Sequence, residues 1–391
     1  MRICGVIAEY NPFHNGHKYQ IEKIKENGFD GVVAVMSGNA VQRGEFAFLD
    51  KSVRTRQALL NGVDLVIELP LPFSVSSAEK FALGGTSILD SLGVVNALCF
   101  SSECAEIEKL KRIAEINSDS ITDYLKSGVT YASAYENLVE NELGKEFSSI
   151  LQQPNNVLGI EYLKALKRLN SEIKPFTIKR TGVKHNDEKT EKNFCSAKYI
   201  RENFDKKDVS SYMPFSSFEL LEEAVKNNDE FSSLEKNEKT VLSMLRMFDK
   251  DYFSTITDIS EGIENRLYSA VKEACSLCEL YSSVKTKRYT LARVKRLVFN
   301  SLLGVTEEYT EFLPPYIRVL GFNEKGREIL RNAKKLSSKP IYTLFSDFNN
   351  ADEQSKMLYS LECKATDLYY SFTPEIKPCS REQTRNAVII K

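Results

Sequence analysis

The segment Ile3-Cys4-Gly5-Val6-Ile7-Ala8-Glu9-Tyr10-Asn11-Pro12-Phe13-His14-Asn15-Gly16-His17 decides the architecture of this chain. Ile3 to Ala8 is a short apolar run that reads as a buried strand, and His17 to Lys25 reads as a helix, so the polar stretch between them is a strand-to-helix turn. The same alternation recurs downstream. Gly31 to Met36 is a second apolar strand, Lys51 to Asn61 a helix, Val63 to Leu69 a third strand, Ser76 to Leu92 a helix and Val94 to Phe100 a fourth strand. Strands separated by helices of this length form parallel βαβ units, and near-continuous apolar strands imply that both sheet faces are covered. The expected fold class is α/β, a doubly wound parallel sheet in the N-terminal domain, followed by a mostly α-helical C-terminal domain.

Residues 103–170 read as helical, with breaks near Asn117, Gly128 and Pro154, and Phe176 to Ile178 reads as a further strand. A charged loop from Lys179 to Lys192 carries His185, and Ser196 opens another helix. Beyond about residue 210 helical periodicity dominates, as in Phe218–Lys226, Thr240–Met247, Glu264–Leu280 and Leu291–Leu303; Pro340 to Phe345 resembles a strand. The division is placed at 1–208 and 209–391.

The chain holds three histidines, and two of them, His14 and His17, flank Gly16 in the first strand-to-helix turn. In an open parallel sheet that turn lies at the carboxyl edge, where ligands bind. The helix start offers free N–H groups and a positive dipole end suited to phosphate, and glycine permits close backbone approach. Imidazoles at i and i+3 share a face and can donate to phosphate oxygens, the arrangement that displacement at phosphorus needs. A Gly-rich Walker A loop is absent from the sequence, which argues against a P-loop ATPase.

A formal net charge of −1 leaves no whole-chain field to attract nucleic acid, so any RNA contact must be a local patch. No run approaches the ~18 apolar residues of a membrane span, and the start of the chain lacks a signal-peptide pattern; neither membrane nor DNA is an expected partner, and the expected location is cytoplasmic. The eight cysteines, Cys4, Cys99, Cys104, Cys195, Cys275, Cys278, Cys363 and Cys379, are scattered in the manner of reduced thiols. Cys275 and Cys278 have metal-like spacing, but no second pair or nearby histidine completes a zinc set, so no metal site is expected.

Five further segments order themselves around the turn. Ser37-Gly38-Asn39-Ala40-Val41-Gln42-Arg43-Gly44-Glu45 follows the second strand, and Asp64-Leu65-Val66-Ile67-Glu68-Leu69-Pro70 forms the third. Pro154-Asn155-Asn156-Val157-Leu158-Gly159-Ile160-Glu161-Tyr162 opens a helix with paired amides, which either cap it or hold a ligand. Lys179 and Arg180 end the late strand, and Ser196-Ala197-Lys198-Tyr199-Ile200-Arg201 opens a helix with a hydroxyl and two cations. The His-x-Gly-His turn resembles the HxGH nucleotidyltransferases. Together with Lys287-Arg288-Tyr289-Thr290-Leu291-Ala292-Arg293 and Tyr316-Ile317-Arg318-Val319-Leu320-Gly321-Phe322, the whole set closely resembles the tRNA(Met) cytidine acetate ligases, over nearly the full chain.

That resemblance implies an ATP-dependent ligase. Acetate and ATP would form acetyl-adenylate, and the N4 amine of the wobble cytidine of elongator tRNA(Met) would take the acetyl group. It implies His14 and His17 as catalytic residues. It implies an ATP site from Ile7, Ala8, Glu9, Tyr10, Asn11, Pro12 and Phe13 through His14, Asn15, Gly16, His17, Lys18, Tyr19 and Gln20, completed by Ser101, Asn155, Asn156 and Arg180. Ser196, Lys198 and Arg201 are phosphate candidates. Ser101 departs from the family pattern, which has glycine there, so any contact at this position must tolerate a side chain. Mg²⁺ is expected from the needs of triphosphate chemistry, with no ligand set visible for it.

Between 285 and 296 six of twelve residues are cationic, a footprint suited to a phosphate backbone. Lys287, Arg288, Arg293 and Arg296 are therefore tRNA candidates, and Tyr289 is a candidate for stacking on a splayed base. Two other readings stay open on the residues alone: a small-molecule nucleotidyltransferase of the HxGH type, and an RNA-binding protein with a degenerate nucleotide site.

Overall fold

A computed structural model of the chain describes residues 1–117, 121, 130–180, 193–227, 231–260 and 262–391. Its centre is a parallel sheet of β1 (Ile3–Ala8), β2 (Gly31–Ser37), β5 (Leu65–Leu69), β6 (Ala97–Ser102) and β7 (Lys174–Lys179), in the spatial order β5-β2-β1-β6-β7. A two-stranded hairpin, β3 (Ala40–Val41) and β4 (Glu45–Phe46), stands apart from it.

The apolar strands alternate strictly between two cores. Val33 and Val35 of β2 join Ile3, Leu65, Ile67 and Phe100 on one face, under helix α3 (Ala78–Ser91) and the helix Pro154–Arg168. Val32, Ala34 and Met36 join Val6, Val66 and Cys99 on the other face, with Ile21 and Ile24 of α1 (Asn15–Glu26) and Ala58 and Leu59 of α2 (Lys51–Leu60). This is the doubly wound arrangement expected. The chain adds β2 and β5 on one side of β1 and then β6 and β7 on the other, so the direction of winding reverses between β1 and β6. The crevice at their carboxyl ends is the usual ligand position of such sheets.

The sheet does not stop at residue 208. β8 (Ile317–Phe322) pairs antiparallel with β5, and β10 (Val388–Ile389) and β9 (Ile341–Tyr342) pair parallel with β8. The helical region has a core of its own, centred on residues such as Leu245, Phe253, Leu267, Leu280, Val298 and Tyr369. Within it, the helix expected over Glu264–Leu280 is two helices, Ile263–Glu273 and Leu277–Val284. The second starts afresh because the Ser276 side chain accepts from the N–H of Glu279 and caps it. The strand expected over 340–345 is shortened to Ile341–Tyr342.

The two parts of the chain meet over buried charges. Lys51 Nζ lies 2.5 Å from Glu68 Oε1 and 2.8 Å from Glu382 Oε1, with all three side chains essentially inaccessible. Arg318 bridges Glu68 at 3.3 Å and also pairs with Glu382, while Arg385 forks onto Asp50 at 2.6 and 2.8 Å. Among the described residues no helix is long and apolar enough to cross a membrane.

Candidate active site

The turn after β1 is held from below by a buried guanidinium. Arg54 of α2 donates to the carbonyls of Leu49 at 2.8 Å, Glu9 at 2.6 Å and Ser37 at 3.0 Å, and also to that of Gly38. Charge-assisted hydrogen bonds of this kind contribute ~1.5–3 kcal/mol each, so one residue pins the segments that leave β1 and β2. Tyr10 takes a left-handed backbone, φ 46°, and is fully buried. That conformation costs ~1–3 kcal/mol for a residue other than glycine. It sets the Tyr10 ring edge-on against His17, with centroids 4.9 Å apart.

The two imidazoles stack with centroids 3.9 Å apart and planes 22° from parallel. His14 is the N-cap of α1: its Nδ1 accepts from the Gly16 N–H at 3.0 Å, and His17 Nδ1 accepts from the His14 N–H at 3.2 Å. With both Nδ1 atoms used as acceptors, this network assigns the proton of each neutral ring to Nε2. Burial, then the neighbouring His14 and Arg180, hold His17 well below the usual histidine range, so at neutral pH it is an uncharged Nε2–H donor.

Gly16 is required by this geometry. A Cβ there would lie 2.8 Å from His14 Cε1 and 3.0 Å from its Nδ1. Gly16→Ala is expected to push the His14 ring off its cap and to lower ATP–pyrophosphate exchange by about tenfold or more, since displacements near 1 Å cost up to ~10² in rate. The melting temperature should move by only a few degrees; unchanged exchange would show that the His14 position is not critical.

The cavity at this edge has a volume of about 250 Å³. His14, Gly16 and His17 line it, with Ile7, Ala8, Glu9, Tyr10, Asn11, Tyr19 and Gln20 from the expected segment and Ser101, Asn155 and Arg180 from β6, the helix Pro154–Arg168 and the end of β7. Lys198 and Arg201 line it from the helix Ala197–Asn203. Arg180 donates to Asn155 Oδ1 at 3.3 Å, its Nε is buried without a partner among the described residues, and burial lowers its pKa.

Other expected contacts are placed elsewhere. Pro12 and Phe13 are buried beneath the turn and Lys18 is exposed on α1; none of the three lines the cavity. Asn15 lies outside the lining and donates to the carbonyls of Asn193 and Ser211, both at 2.9 Å. Asn156 is buried and, as the third residue of its helix, is not a cap. Its Oδ1 accepts from the N–H groups of Glu103 and Cys104, and its Nδ2 donates to Ile150 O, so its amide clamps the loop after β6 and is spent on backbone. Ser196 accepts from the Tyr199 N–H at 3.1 Å as a helix cap and is also outside the cavity. His185 lies outside the described residues.

The cavity also takes in residues outside the expected ATP set, including Gln42, Arg43 and Glu45 of the segment after the second strand, Phe81 from α3, and Leu158 and Tyr162 of the segment 154–162. The spacing of Asn155, Leu158 and Tyr162, at i, i+3 and i+7, was the available signal for the last two.

The basic run divides. Lys287 and Arg288 are exposed. Arg293 and Arg296 are largely covered and paired with Asp258 at 3.6 and 3.5 Å. Tyr289 is buried in the helical core with the Arg293 guanidinium 5.5 Å from its ring centroid, so it offers no face to an incoming base. Among the described residues there is no group of three or more His, Cys, Asp or Glu that could hold a metal ion.

A doubly wound sheet with an HxGH turn at its switch point defines a nucleotidyltransferase, and the family described as HIGH Nucleotidyl Transferase matches residues 1–386. The tRNA(Met) cytidine acetate ligase of Thermoanaerobacter sp. (strain X514) is 42% identical over 94% of this chain and 95% of its own. That of Acetivibrio thermocellus is 39% identical over 100% of both. The crystal structure of Thermotoga maritima TmcAL in its apo form superimposes with a TM-score of 0.95 at 33% identity, covering 100% of both chains. The same protein bound with alpha-thio ATP gives a TM-score of 0.93 at 34% identity, covering 100% of this chain and 99% of that one. The chain belongs to the tRNA(Met) cytidine acetate ligase family of HIGH nucleotidyltransferases.

Proposed function

We propose that the protein joins acetate to ATP, giving acetyl-adenylate and pyrophosphate, and then passes the acetyl group to the N4 amine of the wobble cytidine of elongator tRNA(Met). The observation that carries the first step is the stacked imidazole pair, with each Nδ1 tied to backbone and the uncharged His17 ring keeping its proton on Nε2. Fixed imidazole donors suit an α-phosphate whose oxygens gain charge as an acetate oxygen attacks and pyrophosphate leaves. Arg180 and Asn155 would take the nucleoside end, and Lys198 would neutralise the leaving pyrophosphate, while Arg201 stays paired with Glu45. Acetate is a poor acyl donor until adenylation supplies a leaving group, which is why ATP is consumed. Mg²⁺ would travel with the triphosphate, held by phosphate oxygens and water. A cytoplasmic location follows from the need for ATP and tRNA.

The division of labour proposed is ATP chemistry in 1–208 and tRNA contact in 209–391. Every residue lining the cavity precedes 202, and the exposed cations Lys287 and Arg288 lie in the second part. Changing both to Glu is expected to weaken tRNA binding and to flatten its salt dependence by about 1–2 in log–log slope, while acetate-dependent exchange continues; unaltered tRNA affinity would remove this surface from consideration. The deciding test is ATP–pyrophosphate exchange with and without acetate, before any tRNA is added. Exchange that requires acetate supports carboxylate adenylation, and its absence with acetate and tRNA together would overturn the reading.

A further inference from the structure

The cavity has two chemically different ends. At the ends of β6 and β7 stand Ser101, Asn155 and Arg180; at the other end stand Glu9, Gln42, Arg43, Glu45 and Arg201. The second end is built on the β3–β4 hairpin, whose tip, Gly44, has φ 72° and is seated directly on the helix Leu291–Leu303. A Cβ on Gly44 would lie 2.5 Å from the backbone nitrogen of Arg296. At the base of the hairpin, Phe46 packs edge-on against Phe299 of the same helix, with centroids 5.0 Å apart. The exposed Lys287 and Arg288 lead directly into that helix. Glu9 therefore sits at the end of the cavity that abuts the segment where RNA would arrive.

Glu9 is also held in place. Its carbonyl accepts from Arg54 at 2.6 Å, and its Oε1 accepts from the Gln42 N–H at 2.9 Å. It is faced by Arg201 from one helix, Arg43 and Glu45 from the hairpin, Arg54 from α2 and Tyr162 from the helix Pro154–Arg168. Arg201 is itself fixed, donating to Asn11 O at 2.7 Å and pairing with Glu45 at 3.6 Å.

We propose that Glu9 is the catalytic carboxylate of the second step, meeting the exocyclic amine of the acceptor cytosine and taking its proton. This rests on the acetate-ligase reading above. As the amine nitrogen bonds to the acetyl carbon, the bond from that carbon to the adenylate oxygen breaks and AMP leaves. The proton lost by nitrogen passes to Glu9 and then to solvent. A carboxylate accepts from the cytosine amine, and a neighbouring guanidinium such as Arg43 can donate to the ring's acceptor atoms. Uracil, with a carbonyl in place of the amine, would set oxygen against oxygen at Glu9. Burial, more than any neighbour, raises the Glu9 pKa above its ordinary 4.5, which brings a carboxylate closer to the strength a base needs at neutral pH.

The test uses the full-length protein with acetyl-adenylate already formed from acetate and ATP, followed by tRNA(Met) transcript in a single turnover. Glu9→Gln is expected to slow acetyl transfer from preformed acetyl-adenylate by about 10² or more, beyond any loss it causes in acetate-dependent exchange, since Glu9 also lines the nucleotide cavity. Glu9→Asp should restore part of the transfer. The wild-type transfer rate should fall as pH drops and Glu9 takes up its proton, a limb missing in the Gln variant. Equal losses in exchange and transfer, or transfer at the wild-type rate, would overturn the proposal. If Glu9→Gln does not fold, the wild-type pH profile decides: a rate that stays flat through the acid side also overturns it. Failure of the ligase reading is separately visible, as wild-type protein that shows no acetate-dependent exchange.

Discussion

His17→Ala is expected to lower acetate-dependent ATP–pyrophosphate exchange by about 10²–10³, the loss typical of removing one preorganised donor from a charge-developing centre. The expectation follows from what the imidazole does on each side. Its Nδ1 receives the His14 N–H at 3.2 Å, its ring is stacked 3.9 Å from His14, and Tyr10 sets its edge. Its Nε2–H is then the atom left for the α-phosphate. Because burial keeps His17 neutral at physiological pH, the donor is present across that range and the rate should carry no limb from its titration between about pH 6 and 8. The structural cost is one cap hydrogen bond on α1, about 1 kcal/mol, so circular dichroism and the melting temperature should stay close to wild type. Exchange in His17→Ala at the wild-type rate would remove the imidazole pair from the mechanism.

Lys51→Met is expected to destabilise the protein by about 3–5 kcal/mol, the usual result of removing one partner from a buried ion pair. Lys51 is completely inaccessible and is shared by Glu68 at 2.5 Å and Glu382 at 2.8 Å. Without it, only Arg318 is left to serve both carboxylates from one side, while Arg385, committed to Asp50, reaches Glu382 at 3.6 Å. The loss should appear as a lower urea midpoint with an unchanged slope. Adding Glu68→Gln to Lys51→Met should recover part of it, because an unpaired buried charge accounts for much of the cost. A single variant as stable as wild type would mean that Glu68 and Glu382 are not both ionised in the folded protein.

Much of this architecture can be read from local pattern. The strands β1, β2, β5 and β6 are apolar on both faces and are separated by amphipathic stretches, so the period of the sequence reports the layer each residue enters. The HxGH turn was legible because rare residues meet at a position the fold makes special. Long-range pairing left weaker traces. Arg318 stands in the middle of β8, and a charge within six residues does not read as a buried strand until Glu68 and Glu382 are known to meet it. The same blindness applies to Arg54, whose carbonyl partners come from three separate turns. The basic run misled in part because a string of cations carries no mark of which members face inward: Asp258, remote in sequence, claims Arg293 and Arg296. Asn156 was likewise indistinguishable from Asn155, although one turns to backbone and the other to the cavity.

The antiparallel pairing of β8 with β5 has a consequence for how the chain is made. About 250 residues separate the two strands, and ribosomes emit ~5–20 residues per second, so β5 waits tens of seconds for its neighbour. Late in that interval a nascent chain already owns every residue of its nucleotide cavity, yet carries an unpaired strand edge and the charge of Asp50 without its Arg385 partner. Open edges of this kind invite pairing with other chains. Translation speed and early chaperone contact, more than final stability, would then govern the yield of this enzyme in a cell.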